Sequence, residues 1–299
     1  MNYKHRGVYE LHMPLNPYNN FVAELTRLIQ EAKSYPLGTF KPNLRPAIAK
    51  DAPKALFFAP HPDDECIAGG LALRLLREAG MNVIDVAVTQ GRHKERQAER
   101  YRELKNACLY LGFEVQTTGP NGLDHITPDA REQDRPAWNE NTTVIANILE
   151  ATQPRVIFFP HAQDLHNTHI GTHFLVMDAL KRMPASFECY LVETEFWGQM
   201  GDPNLMVEIS AEDLADLVTA TSFHVGEVKR NPFHLLLPAW MMDNVRRGSE
   251  LVGGAGAKAA DFTFAALYRL RKWSQGGVTK VLNAGTQVSS KRNVGELFP

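Results

Sequence analysis

Three cysteines in 299 residues, Cys66, Cys108 and Cys189, are too few and too far apart for a disulfide framework, and none forms a Cys-x-x-Cys pair that could hold a metal. They fit a reducing compartment. Long apolar runs are missing too: no stretch approaches the roughly 20 residues that a membrane-spanning helix needs. The opening segment, 1–14, is mixed polar and charged, without an apolar signal core. Charge of one sign is also lacking. With 32 Lys and Arg against 34 Asp and Glu, the formal net charge is −2, and no long basic run stands out. That argues against nucleic acid as a partner. The expectation is a soluble cytoplasmic protein with no transmembrane segment, for which an oligomer is possible.

Hydrophobic residues make up 44% of the chain, enough for a sizeable core. Phe21, Val22, Leu25, Leu28 and Ile29 recur at helical spacing and predict an amphipathic helix over about 20–33. Its stripe is expected to pack on the domain's own surface, a dimer contact being the lesser use. Pro36, Pro42 and Pro46 mark an extended connector. The reading is an N-terminal arm over 1–50, a main domain over 51–273, and a polar tail over 274–299, partly disordered.

From Lys54 onward, strands alternate with helices. Strands are expected at 55–58, 83–88, 113–117, 156–159 and 189–192. Helices are expected at 68–79, 94–111 and 142–151, with another running to about 183. Gly80 and Gly112 stop two of them. This is an α/β pattern with a mostly parallel sheet, order 3-2-1-4-5, and helices on both faces. Strands one and four are then neighbours, and the crevice at their C-terminal ends is where ligands bind.

Strand one runs into Pro60-His61-Pro62-Asp63-Asp64-Glu65. His61 and Asp64 stand three apart on a turn, so both can reach one point. An imidazole and a carboxylate suit a borderline ion such as zinc. Asp63 would sit beside the metal, where a general base for water belongs. The plainer alternative is that Asp63 or Asp64 caps the helix that follows. After strand four, His166, His169 and His173 fall at i, i+3 and i+7, one face of a helix. Some of these three are expected to be supporting or structural.

The two segments, Pro60 to Glu65 and Asp164-Leu165-His166-Asn167-Thr168-His169, resemble the paired motifs of the PIG-L/LmbE-like de-N-acetylases. The resemblance covers 55–192 well and continues weakly to Asp261-Phe262. It implies a Rossmann-like fold for 51–273 and a zinc-dependent (Zn2+) hydrolase. The implied substrate is an N-acetylglucosamine-type sugar or glycoconjugate that loses its N-acetyl group. His61, Asp64 and His169 would be the zinc ligands, Asp63 the general base, and His166 an imidazolium stabilising the oxyanion. Arg100 falls where family members place a substrate-binding arginine; a solvated helix charge is the alternative. Trp197, past strand five, could stack on a sugar or pack in the core.

The sequence departs from the family in two places. Asn167-Thr168 replaces the usual Pro-Asp between the histidines, so Thr168 brings no charge to His166. His224-Val225-Gly226-Glu227 stands for a His-x-Ser-Gln pattern. Among rival readings, a non-sugar amide keeps the chemistry. Two His and one carboxylate also describe non-haem iron oxygenases, usually on β-sandwiches. A nucleotide-binding module has only Gly69-Gly70 in its favour, with prolines and acids at the phosphate position. The apolar run 233–242 is expected to be a buried element rather than a lid or a lipid-facing surface.

Overall fold

The computed structural model describes residues 16–42 and 47–299. Segment 1–14 and Pro46 of the expected connector lie outside the described residues. The chain divides into two compact units, Met1–Pro36 and Leu37–Pro299.

The first unit contributes helix α1 (Pro17–Ala32). Asn16 caps it by accepting the Tyr18 N–H, and Pro17 opens its first turn. None of its residues is buried. The stripe Phe21, Val22, Leu25, Leu28 and Ile29 lies on this helix, as its spacing predicts. Helical spacing of apolar residues specifies the helix but does not supply the surface that covers it.

In the second unit, β1 (Lys54–Ala59), β2 (Asn82–Ala87), β3 (Glu114–Thr117), β4 (Val156–Pro160) and β5 (Cys189–Thr194) pair in parallel, in the order β3-β2-β1-β4-β5. The alternating pattern predicted this order. The sheet then continues past it through β6 (Leu205–Glu208), β7 (Ala265–Ser274), β8 (Gly277–Lys280) and β9 (Thr286–Val288). Strand β7 runs antiparallel to β5, β6 and β8, and β9 pairs with β6.

The helices of this unit are α2 (Asp64–Ile67), α3 (Gly70–Ala79), α4 (Lys94–Leu111), α5 (Pro128–Gln133), α6 (Arg135–Thr152), α7 (Asn167–Leu180), α8 (Ala211–Ser222), α9 (Val225–Arg230) and α10 (Phe233–Leu251). Helices α3, α4 and α8 pack on one sheet face, α6 and α7 on the other. Alternate residues of β1 feed the two cores: Ala55, Phe57 and Ala59 the first, Leu56 and Phe58 the second. The left-handed caps Gly80 and Gly112 end α3 and α4 as expected. The apolar run 233–242 opens α10, with His234, Leu237 and Met241 buried but Leu236 and Met242 exposed. Among the described residues, no helix is long and apolar enough to cross a membrane.

The tail beyond Trp273 is folded, not partly disordered as expected. It forms β8, β9 and a 3-10 turn (Val294–Leu297), and buries Val288, Val294, Leu297 and Phe298. Arg74 of α3 anchors it. This side chain is 1% exposed and donates to Glu78 and to the carbonyls of Glu208, Ser289 and Arg292. Arg74→Leu is expected to lower the unfolding free energy by roughly 3 kcal/mol, because three carbonyls and a carboxylate lose their donor. Urea denaturation checks this; a loss below about 1 kcal/mol, the worth of one ordinary hydrogen bond, would contradict it.

Candidate active site

Parallel pairing of β1 with β4 brings the segments that follow them to the same end of the sheet. The rings of His61 and His169 lie 5.3 Å apart, centroid to centroid. His166 stands 4.9 Å from His61 and 5.3 Å from His169. Asp64 sits between the two motifs. Its Oδ2 is 3.7 Å from His61 Nδ1, and its Oδ1 is 3.5 Å from His169 Nε2. One ring nitrogen from each of His61, His166 and His169 lies within 4.8 Å of the other two. Neither ring nitrogen of His169 has a hydrogen-bond partner among the described residues, although the side chain is 1% exposed. A buried imidazole left so is costly. Nitrogen and oxygen donors converging on one point fit a divalent cation such as zinc.

Neither aspartate caps the following helix. Asp63 precedes α2 but makes no side-chain cap bond, and the Asp64 carboxylate accepts the His61 N–H at 2.8 Å. Asp63 is buried and has φ +128°, a conformation that costs a non-glycine residue on the order of 1–3 kcal/mol.

The surroundings push the two neighbouring carboxyls apart. Burial lifts Asp63 well above the usual carboxylate range; Asp64 adds to this and Arg100 opposes it. Burial also raises Asp64, but His169 and the hydrogen bond from His61 outweigh it and hold the group below its ordinary value. One acid is thus held as an anion, while the other grips a proton more tightly than an ordinary carboxylate. Burial lowers His61 to about 4, leaving it neutral, as a ligand must be. For His169, burial is outweighed by Asp64 and Asp164, and the pKa rises.

His166 moves the other way: burial, then His169, lower its pKa. Its Nδ1 accepts the Thr168 N–H at 3.2 Å, so the ring proton sits on Nε2. Both observations oppose the imidazolium expected from the resemblance. The Thr168 side chain brings no charge to the ring, which residue 168 meets through its backbone N–H.

Asp164 is the acid that opens the second motif. Its Oδ1 accepts the His166 N–H at 2.8 Å, its Oδ2 accepts the Trp197 N–H at 3.2 Å, and Oδ2 lies 3.6 Å from His169 Nδ1. It holds the His166 main chain and stands behind the His169 ring. His173 turns elsewhere, with Nδ1 3.0 Å from the Pro160 carbonyl and 3.4 Å from Glu193. Arg100 is not a solvated helix charge: its Nη2 donates to the Pro62 carbonyl at 3.0 Å. Trp197 is 44% exposed, its ring 6.1 Å from that of His166 and nearly parallel to it. Glu65 and His224, both buried, bond to each other beneath the Asp63 loop. No sequence signal pairs them, because they lie 159 positions apart.

The sequence model of the PIG-L family, described as GlcNAc-PI de-N-acetylase, matches residues 56–180. A probable N-acetyl-α-D-glucosaminyl L-malate deacetylase 2 of Bacillus cereus is 25% identical over 186 residues, covering 57% of this chain and 81% of the relative. Among solved structures, the N,N′-diacetylchitobiose deacetylase of Pyrococcus horikoshii superposes with a TM-score of 0.51 at 17% identity, over 87% of this chain and 94% of that one. A 4-carboxy-2-hydroxymuconate hydratase of Pseudomonas putida superposes at 0.52 with 15% identity, over 73% and 95%. The two superpositions establish a shared fold. Residues 56–180, which hold both histidine motifs, are thus the part of the chain that is similar to the PIG-L family of de-N-acetylases.

Proposed function

We propose that this protein is a zinc-dependent hydrolase that removes the N-acetyl group from an N-acetylglucosamine-type sugar or glycoconjugate, giving acetate and a primary amine. The observation that carries the reading is the meeting of His61, Asp64 and His169 beside a buried Asp63, from motifs about a hundred residues apart. The family description, the Bacillus cereus relative and the Pyrococcus horikoshii enzyme all concern deacetylation, which favours an acetamide as the bond attacked.

His61, Asp64 and His169 would hold the ion. When bound, a divalent cation polarises the amide carbonyl and acidifies water. Asp63 takes the proton of the attacking water and returns it to the departing nitrogen, so that a neutral amine leaves. His166 donates its Nε2–H to the carbonyl oxygen as that atom gains charge, a role a neutral imidazole can fill. Trp197, beside His166, offers an apolar face on which a sugar ring can lie.

The test is metal analysis followed by acetate release from N-acetylglucosamine, its phosphates and glycosides, and N,N′-diacetylchitobiose. About one zinc per chain is expected, with turnover lost on chelation and restored by zinc. Zinc-loaded protein that releases no acetate from any of these would overturn the sugar reading. Bound iron with consumption of 2-oxoglutarate would replace hydrolysis with oxygenation. A substrate that gains water without losing acetate would point to hydration.

A further inference from the structure

The peptide unit joining Pro62 to Asp63 is held at both ends. Its N–H donates to Glu65 Oε2 at 2.9 Å, and its carbonyl accepts from Arg100 Nη2 at 3.0 Å. Each holder is backed from one short segment. His224 Nε2 lies 2.7 Å from Glu65 Oε1, and Glu227 Oε1 lies 3.9 Å from Arg100 Nε. The Cys66 thiol adds a third donor to Glu65, at 3.0 Å. Glu65 is 0% exposed and the Arg100 side chain 13%, so water does not compete freely for either contact.

Rotation of this peptide plane is what sets φ of Asp63. At +128° the residue occupies a region that only a surrounding framework can enforce. With either end released, the plane can turn, φ can relax to negative values, and the Asp63 carboxyl swings with it. Gly91 makes the Arg100 contact possible. At φ +80° it faces the guanidinium, and a Cβ there would lie 2.4 Å from Arg100 Nη1.

We infer that Glu65 and Arg100, backed by His224 and Glu227, are positioning residues that clamp the Pro62–Asp63 peptide and so aim the Asp63 carboxyl. The kinetic consequences rest on the deacetylase reading; the structural ones do not. The Arg100 guanidinium serves the loop through the Pro62 carbonyl, with the Glu227 carboxylate 3.9 Å from its Nε.

Two measurements test the clamp. The first is NMR amide exchange at the Asp63 N–H, which needs no substrate. Glu65→Ala is expected to speed it by at least about tenfold relative to wild type, since a protecting bond is lost. The second is kinetics on whichever N-acetylglucosaminide releases acetate. Glu65→Ala and Arg100→Met are expected to lower kcat roughly 10–10²-fold, with zinc retained and KM within about threefold. Glu65→Gln keeps an acceptor for the N–H and should recover about fivefold or more over Glu65→Ala. In an Asp63→Asn background, Glu65→Ala should cost no further kcat, because it acts through Asp63.

Unchanged exchange at Asp63, additive losses in the double variant, or an Arg100→Met protein that raises KM alone would each overturn the clamp. If Glu65→Ala does not fold, exchange in Arg100→Met, which frees the other end of the same peptide, decides. If no sugar is cleaved, the deacetylase reading fails while exchange still judges the clamp.

Discussion

His169→Ala protein, loaded with excess zinc and then desalted, is expected to keep less than about a tenth of the wild-type metal and to release no detectable acetate. His169 projects from the first turn of α7, 1% exposed, with Asp64 3.5 Å from Nε2 and Asp164 3.6 Å from Nδ1. That arrangement has a carboxylate on each side and, among the described residues, no hydrogen bond on either nitrogen. A metal ligand backed by an orienting acid has this arrangement. His173 lies outside the group of converging ring nitrogens, its Nδ1 3.0 Å from the Pro160 carbonyl and 3.4 Å from Glu193. His166 is the one alternative within the histidine group. His166→Ala separates the two: it should keep zinc and lose roughly 10²-fold in kcat, the usual cost of an oxyanion donor. A zinc-replete His169→Ala together with a zinc-free His166→Ala would exchange the two roles.

Much of this site was legible because local rules and topology agreed. The apolar runs behind β1 and β4, the glycine stops at Gly80 and Gly112, and the strand-helix alternation determine which strands are neighbours. Once β1 and β4 are adjacent, His61, Asp64, His166 and His169 must meet. What could not be read was set by partners distant in sequence. Arg100 looks like any charged helix residue until the fold turns it onto the Pro62 carbonyl. Thr168 looked like a lost charge; in the fold its N–H supplies the bond that determines the tautomer of His166. The tail looked polar enough to be disordered because its anchor, Arg74, lies some two hundred positions upstream. Asp85 passes for an ordinary strand residue, yet it is fully buried, neither carboxylate oxygen has a partner among the described residues, and burial with Glu65 and Asp64 lifts its pKa well above the carboxylate range.

Asp63→Asn is expected to retain wild-type zinc and to lose at least about 10²-fold in kcat, the scale on which a general acid–base group contributes. The substitution is nearly isosteric. Asparagine is among the residues most tolerant of positive φ, so the strained backbone at +128° should survive. The main-chain N–H is unchanged, so the bond to Glu65 Oε2 survives as well. What disappears is the ability to accept a proton. Asp64 cannot supply it: His169 and His61 hold its carboxyl low, and it faces both of them as the bridging anion of the site. Glu65 cannot either, since its oxygens already accept from Asp63 N–H, Cys66 and His224. With no other carboxylate free at that position, the loss should appear in kcat, with KM little changed, because the residue matters when the proton moves and not when substrate docks. Zinc-replete Asp63→Asn protein turning over near the wild-type rate would remove Asp63 from the chemistry and leave the metal site without a base from this loop.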